Sequence, residues 1–329
     1  MLRRSGVVGD PAGHSLSPAI HRAGYAAVGL DWDYQAYTVA TEEFGGFVRA
    51  RLHDPEWVGL SVTAPHKEAV VSFGEPDEPT RLLGVGNTIV FGDNPTVHNT
   101  DVPGFVRAWR AHGLEAPLRA AIVGNGATAR SIVLALAGLG AREVVLLARA
   151  PERAAGVVGL ARTLGMAADA VLLGTDPGAV DLVANTIPVA ATEPHADLLA
   201  ARAGAVFDVV YDPWPTPLGA AANWRSRCRR ARSPWLSARH ANGFPSIEEV
   251  GPARQATASI HFVHQRPHVT AASIRKPPFS RPSPSGAPLR SAAGRRRRRS
   301  VRRLPWQTDP VAGGRAGRGS GSDGRASGR

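Results

Sequence analysis

A pair of serines, one lysine, one aspartate and a glycine-rich loop are the residues whose types and spacing bear on chemistry. Ser15 and Ser17 place two hydroxyls two positions apart, immediately before Pro18. Proline is favoured in the first turn of a helix. There, backbone donors and the helix dipole together suit the carboxylate of a small acid. Such serines serve more often as N-caps, and spacing alone leaves both uses open. Lys67 closes the run Ser61-Val62-Thr63-Ala64-Pro65-His66-Lys67, in which an apolar strand gives way to a loop. In parallel sheets the carboxyl ends of strands are where clefts form. Asp101 follows a short strand-like stretch in Asn99-Thr100-Asp101. Lysine and aspartate can move and orient a proton, but their separation in sequence also allows a surface ion pair, the default for such residues.

The loop Gly124-Asn125-Gly126-Ala127-Thr128-Ala129 has the form G-x-G-x-x-A, follows the apolar stretch 120–123 and precedes an apolar helical stretch, 130–139. Glycines let the backbone turn tightly and approach a pyrophosphate, whose charge is met by amides at the helix N-terminus. A tight turn between strand and helix is the plainer alternative. Cofactor preference is read at the end of the next strand, where an acid would bind a ribose 2′-hydroxyl and an arginine a 2′-phosphate. The sequence there is Leu147-Ala148-Arg149-Ala150-Pro151-Glu152-Arg153. Arg149 carries the planar fork suited to phosphate, which favours NADP over NAD; a solvated surface arginine is the alternative.

Elements at regular spacing must hold these residues in place. Stretches 5–9, 32–39, 58–62 and 86–91 read as strands, with a helix opening at Pro18 and another after a capping-box-like Thr41. Beyond residue 118, stretches 120–123, 143–147, 181–184 and 205–210 recur at βαβ spacing. The expected fold is α/β: a mixed or parallel substrate domain over 1–110 and a Rossmann-type dinucleotide domain over 111–224.

Composition divides the chain at the same boundary. Residues 1–224 hold 16 Lys+Arg against 23 Asp+Glu, a net of −7, whereas residues 225–329 hold 23 against 4, a net of +19. The last third is rich in Arg, Pro, Ser and Gly, with five consecutive arginines at 295–299. High charge with few apolar residues predicts a disordered basic tail. It has neither interleaved aromatics nor a binding fold, which argues against nucleic-acid binding. The single cysteine, Cys228, excludes a disulfide framework and a cysteine metal site. No stretch is apolar for the roughly 20 residues a membrane span needs, and residues 1–11 have no signal-peptide core. A cytoplasmic protein working on a small molecule, with no membrane partner, is expected.

The ordered motifs G-D-P-x-x-H-S-L-S-P, S-V-T-A-P-H-K, G-x-G-N-T-I-V, H-N-T-D-V-P-G-F, the glycine loop, D-L-V-A-N-T-I-P-V and V-F-D-V-V-Y-D-P-W-P-T-P-L closely resemble the shikimate dehydrogenase family over residues 6–224. The resemblance implies reversible NADP-dependent reduction of 3-dehydroshikimate to shikimate in chorismate and aromatic amino-acid biosynthesis, by a monomer or homodimer. It implies Lys67 and Asp101 as the catalytic pair and Ser15, Ser17, Thr63, Asn87 and Tyr211 as substrate contacts. Gly124, Gly126, Ala127 and Ala129 would underlie the cofactor pyrophosphate and Arg149 its adenosine phosphate, with Thr186, Pro188 and their neighbours at the nicotinamide. Serine at position 17 favours shikimate over quinate, whose dehydrogenases often carry threonine there.

Three departures qualify the likeness. Ala148-Arg149-Ala150 stands where the family has N-R-[ST], and Val102 replaces the glycine after the aspartate. After Arg225 the family's closing strand and its His-Gln-Ala helix are missing, because His264-Gln265 runs into Arg266-Pro267, which blocks a helix. The abrupt change at 225–228 is what a frameshift in a GC-rich gene would produce. An inactive remnant that only binds substrate or cofactor is the alternative function.

Overall fold

The computed structural model describes residues 3–222 and 268–271. In chain order the elements are β1 (Arg3–Gly9), α1 (Ser17–Ala27), β2 (Trp32–Thr38), α2 (Phe44–Leu52), β3 (Trp57–Val62), β4 (Glu75–Pro76), α3 (Glu78–Leu83), β5 (Thr88–Val90), β6 (Thr96–His98) and α4 (Asp101–Ala111). There follow β7 (Arg119–Val123), α5 (Ala127–Leu139), β8 (Glu143–Ala148), α6 (Ala155–Thr163), β9 (Ala167–Leu172), β10 (Val180–Asn185), α7 (Val189–Thr192), α8 (Ala196–Arg202), β11 (Ala203–Asp208) and β12 (His268–Ala271).

Two six-stranded sheets result. The first has the order β2-β1-β3-β5-β6-β4, the second β12-β11-β10-β7-β8-β9. Strands β1, β2 and β3 run parallel, β5 is antiparallel to both β3 and β6, and β6 therefore runs with β3. That arrangement puts the end of β1, the end of β3, the start of β5 and the end of β6 along one edge. The second sheet is parallel from β9 to β11. Its inner strands are buried on both faces, as the near-continuous apolar runs of β7 and β8 require. In each sheet the order reverses beside the first strand, between β1 and β3 and between β7 and β10. Crevices for ligands lie at such reversals.

Local chemistry explains most boundaries. Asp77 caps α3 by accepting the Thr80 amide, and Gly84 closes the helix with φ of 65°. Gly140, at φ 95°, ends α5 in the same way. Thr41 is no cap: α2 starts at Phe44, with Glu43 in the N-cap position and no side-chain bond. The helix after the glycine loop begins at Ala127, three residues earlier than its apolar pattern suggests, because its first turn is made by small residues. The stretch 86–91 forms only the three-residue β5. Val102 is buried in the first turn of α4, its amide donating to Asn99 Oδ1 at 3.3 Å.

Within the segment read as a disordered tail, β12 is a described element. It pairs antiparallel with β11, Val269 opposite Phe207. Cys228, the junction at 225–228, His264-Gln265 and the arginine run 295–299 lie outside the described residues.

Candidate active site

Lys67 and Asp101 meet despite their distance in sequence. Lys67 leaves the loop after β3 and Asp101 opens α4 just after β6, so the shared edge of the first sheet brings them together. Lys67 Nζ donates to Asp101 Oδ2 at 2.6 Å, and both residues are about 95% buried. This is a buried pair and not the surface ion pair that spacing alone would suggest. Asn87, just before β5, donates from Nδ2 to Asp101 Oδ1 at 2.8 Å. Its own Oδ1 accepts from the Thr100 amide and hydroxyl, each at 3.0 Å. The carboxylate is thus bonded on both oxygens, and the loop that carries it is tied to the same asparagine.

Asn99, absent from the sequence-derived set, acts from behind. Its Nδ2 donates to the Val85 carbonyl and to Ser131 Oγ, and its Oδ1 accepts the Val102 amide. Ser131 lies on α5, so this bond joins the two sheets' elements. Thr128, also on α5, approaches Lys67 Nζ at 3.4 Å, and Arg130 pairs with Glu68 at 2.8 Å.

The serines occupy the loop and helix after β1, at the reversal point. The N-cap position of α1 is Leu16, with no side-chain cap bond. Ser15 Oγ accepts the Ser17 amide at 3.2 Å, and Ser17 is buried. Behind Ser17 stand two further polar residues that sequence alone did not single out. His21 Nδ1 donates to the Ser17 carbonyl at 2.9 Å, and Tyr34 donates to Ser61 Oγ at 2.7 Å. The His21 and Tyr34 rings stack with centroids 3.9 Å apart. Burial pushes the Tyr34 phenol well above its ordinary range, against the opposing bond from Ser61, so it stays a donor. Thr63 is half-buried in the loop leaving β3, its amide bonded to the Val8 carbonyl.

Across α5 lies a second cleft of about 470 Å³, lined by Gly124, Asn125, Arg149, Arg153, Ile187, Pro188 and neighbours. Gly124 has φ of 107°, and a Cβ there would collide with the Thr186 hydroxyl and the Ile187 side chain. At Gly126 a Cβ would meet nothing, so the loop backbone faces open space ahead of α5. Ala127 and Thr186 are half-buried, Ala129 fully buried, Arg149 and Pro188 exposed. A glycine cradle, a helix N-terminus and two arginines at one cleft fit a dinucleotide with a phosphorylated adenosine. Arg153 was not singled out from the sequence; its place four residues after Arg149 was the available signal.

Thr186 Oγ1 donates to the Val123 carbonyl at 2.7 Å, fixing its loop to the glycine turn. Asn185 and Asp208 bond at 2.9 Å, and Thr216 Oγ1 donates to Asp208 Oδ2 at 2.7 Å. Together they pin the loops after β10 and β11, the latter carrying half-buried Tyr211. Among the described residues no cluster of His, Cys, Asp or Glu suits a metal, and no helix is long and apolar enough to cross a membrane.

Residues 7–89 match the family model for the shikimate dehydrogenase substrate binding domain. The chain is 35% identical over 225 residues to shikimate dehydrogenase (NADP(+)) of Methanocella arvoryzae, covering 66% of this chain and 82% of that protein. It is 38% identical over 224 residues to the enzyme of that name from Halobacterium salinarum, covering 65% and 81%. Among solved structures, the shikimate dehydrogenase of Mycobacterium tuberculosis superposes with a TM-score of 0.60 at 36% identity, over 68% of this chain and 84% of that one. A shikimate dehydrogenase in complex with NADP+ superposes at 0.59 and 26% identity, over 68% and 82%. With a parallel dinucleotide sheet, a buried lysine–aspartate pair at the edge of a mixed sheet and these relatives in agreement, the chain belongs to the shikimate dehydrogenase family.

Proposed function

We propose that the chain reversibly reduces 3-dehydroshikimate to shikimate with NADP, using Lys67 and Asp101 to handle the proton. The observation that carries this reading is the buried Lys67–Asp101 bond of 2.6 Å at the sheet edge nearest the glycine-loop helix. The reading divides the sequence that resembles the family into a substrate unit, 1–110, and a cofactor unit, 111–224.

The substrate carboxylate is held by Ser15 and Ser17 at the start of α1, with the helix N-terminus favouring the negative charge. Thr63, Asn87 and Tyr211 orient the ring hydroxyls. Lys67 has three donors on Nζ, and its bond to Asp101 directs a further one at the oxygen of the substrate carbon being oxidised or reduced. In reduction Nζ delivers a proton to the carbonyl oxygen; in oxidation it accepts the hydroxyl proton. Asp101 holds the ammonium in place and is itself held by Asn87.

Gly124, Gly126, Ala127 and Ala129 underlie the pyrophosphate, and Arg149 with Arg153 meets the 2′-phosphate. Thr186 and Pro188 border the nicotinamide. Bound there, NADPH would supply the hydride for reduction and NADP+ would take it in oxidation.

The test is a spectrophotometric assay of the purified full chain for shikimate-dependent NADP reduction. Wild-type turnover is expected, with Lys67→Ala reduced by about 100-fold or more at unchanged fold. Turnover near wild type in that variant removes Lys67 from the mechanism. No shikimate-dependent reduction by the wild type leaves the binding-only remnant as the correct reading.

A further inference from the structure

Lys67 Nζ touches two protein oxygens, and only one of them belongs to the proposed proton-handling pair. The second is Thr128 Oγ1, at 3.4 Å. Thr128 is the second residue of α5, two positions past Gly126, so it stands on the turn that faces the dinucleotide cleft. Threonine is favoured at the N-cap position itself, where its hydroxyl accepts a first-turn amide. In this helix the N-cap position is Gly126, which has no side chain to cap with, and among the described residues the Thr128 hydroxyl makes one hydrogen bond, the one it accepts from Lys67. Threonine is also a poorer helix former than alanine, and α5 otherwise opens with alanines.

An ammonium group with a single acceptor turns freely about its last carbon–nitrogen bond. Two acceptors at different directions stop that rotation and fix the third N–H. Asp101 on α4 supplies one and Thr128 on α5 the other. The rest of the first turn is anchored on the same region: Ser131 is bonded to Asn99 at 3.0 Å, and Arg130 to Glu68, the residue after Lys67. The Glu68 and Arg130 charges offset one another, leaving Asp101 as the carboxylate that balances Lys67.

We propose that Thr128 is a positioning residue for the reaction: it locks the Lys67 ammonium, together with Asp101, so that the remaining N–H points at the substrate oxygen. The inference rests on the reading of Lys67 as the proton-handling group. It also makes the helix that receives the cofactor the one that aims the lysine.

The experiment compares Thr128→Val, which keeps the shape and removes the hydroxyl, with Thr128→Ser, which keeps the hydroxyl, in the full chain. For Thr128→Val, kcat is expected to fall about tenfold, the scale of a small misplacement of a reacting group. KM for shikimate and the calorimetric affinity for NADP should stay within about twofold of wild type. Thr128→Ser should recover most of kcat. A purely structural role predicts a lower melting temperature, a change in both substrate constants and no selective recovery by serine; that pattern overturns the inference, as does unchanged kcat in Thr128→Val. Lys67→Ala, measured alongside, separates the two claims. If it retains turnover, the reading of Lys67 fails; if it loses turnover while Thr128→Val does not, only the positioning role fails.

Discussion

The Lys67–Asp101 bond is asymmetric in what surrounds it. Asp101 keeps the Asn87 amide on its other oxygen if Lys67 is removed, whereas Lys67 without Asp101 retains only a neutral hydroxyl near its charge. Asp101→Asn is therefore expected to destabilise the protein by about 3 kcal/mol, the scale of an uncompensated buried charge. Lys67→Met should cost clearly less, and midpoints of denaturant unfolding compare the two. At the cofactor cleft, Arg149→Ala and Arg153→Ala should each weaken NADP binding about tenfold and leave NAD binding nearly unchanged, as calorimetric titration with both would show. The residues proposed to hold substrate and move the proton were legible in the sequence because each sits in one of the motifs that resemble the family. Asn99, His21, Tyr34 and Thr128 were not. They act through side-chain bonds between segments distant in sequence, and no local pattern marks such a bond.

At the scale of elements, legibility followed periodicity. The strands β1, β3, β7, β8 and β10 announce themselves because both of their faces are buried and their apolar runs are continuous. The strand read over 86–91 shortens to β5, a short strand-like stretch foreshadowed β6, and β4 had no such signal; their pairing is fixed by contact with β3 and with each other. The start of α2 was misread since Thr41 has the type of a cap but precedes a further turn before the helix begins. Asp77 illustrates a true cap. Burial raises its carboxyl, but bonds from His98 and Thr80 outweigh it and hold the group below the usual carboxylate range. A value lowered by folding contributes stability that is full above the unfolded pKa of about 3.9 and fades as pH falls through the lower folded one. Asp77→Ala should accordingly cost about 1 kcal/mol near neutral pH. Thermal melts at decreasing pH should find that difference shrinking below about pH 4.

For the whole molecule, the pattern of strands and the division of charge pointed to the same boundary, near residue 224. The relatives share about four-fifths of their own length with this chain and cover about two thirds of it. A frameshift at 225–228 predicts that resequencing the gene over codons 220–230 will recover a frame encoding a closing helix; an intact frame as written would disprove it. One element beyond the boundary could not be foreseen. Strand β12 has no alternation strong enough to mark it, and it exists through its pairing with β11. That pairing is made of main-chain groups, which are the same in every residue but proline. The outer margin of β11 is thus a socket that tests whether a segment is extended and ignores what it spells.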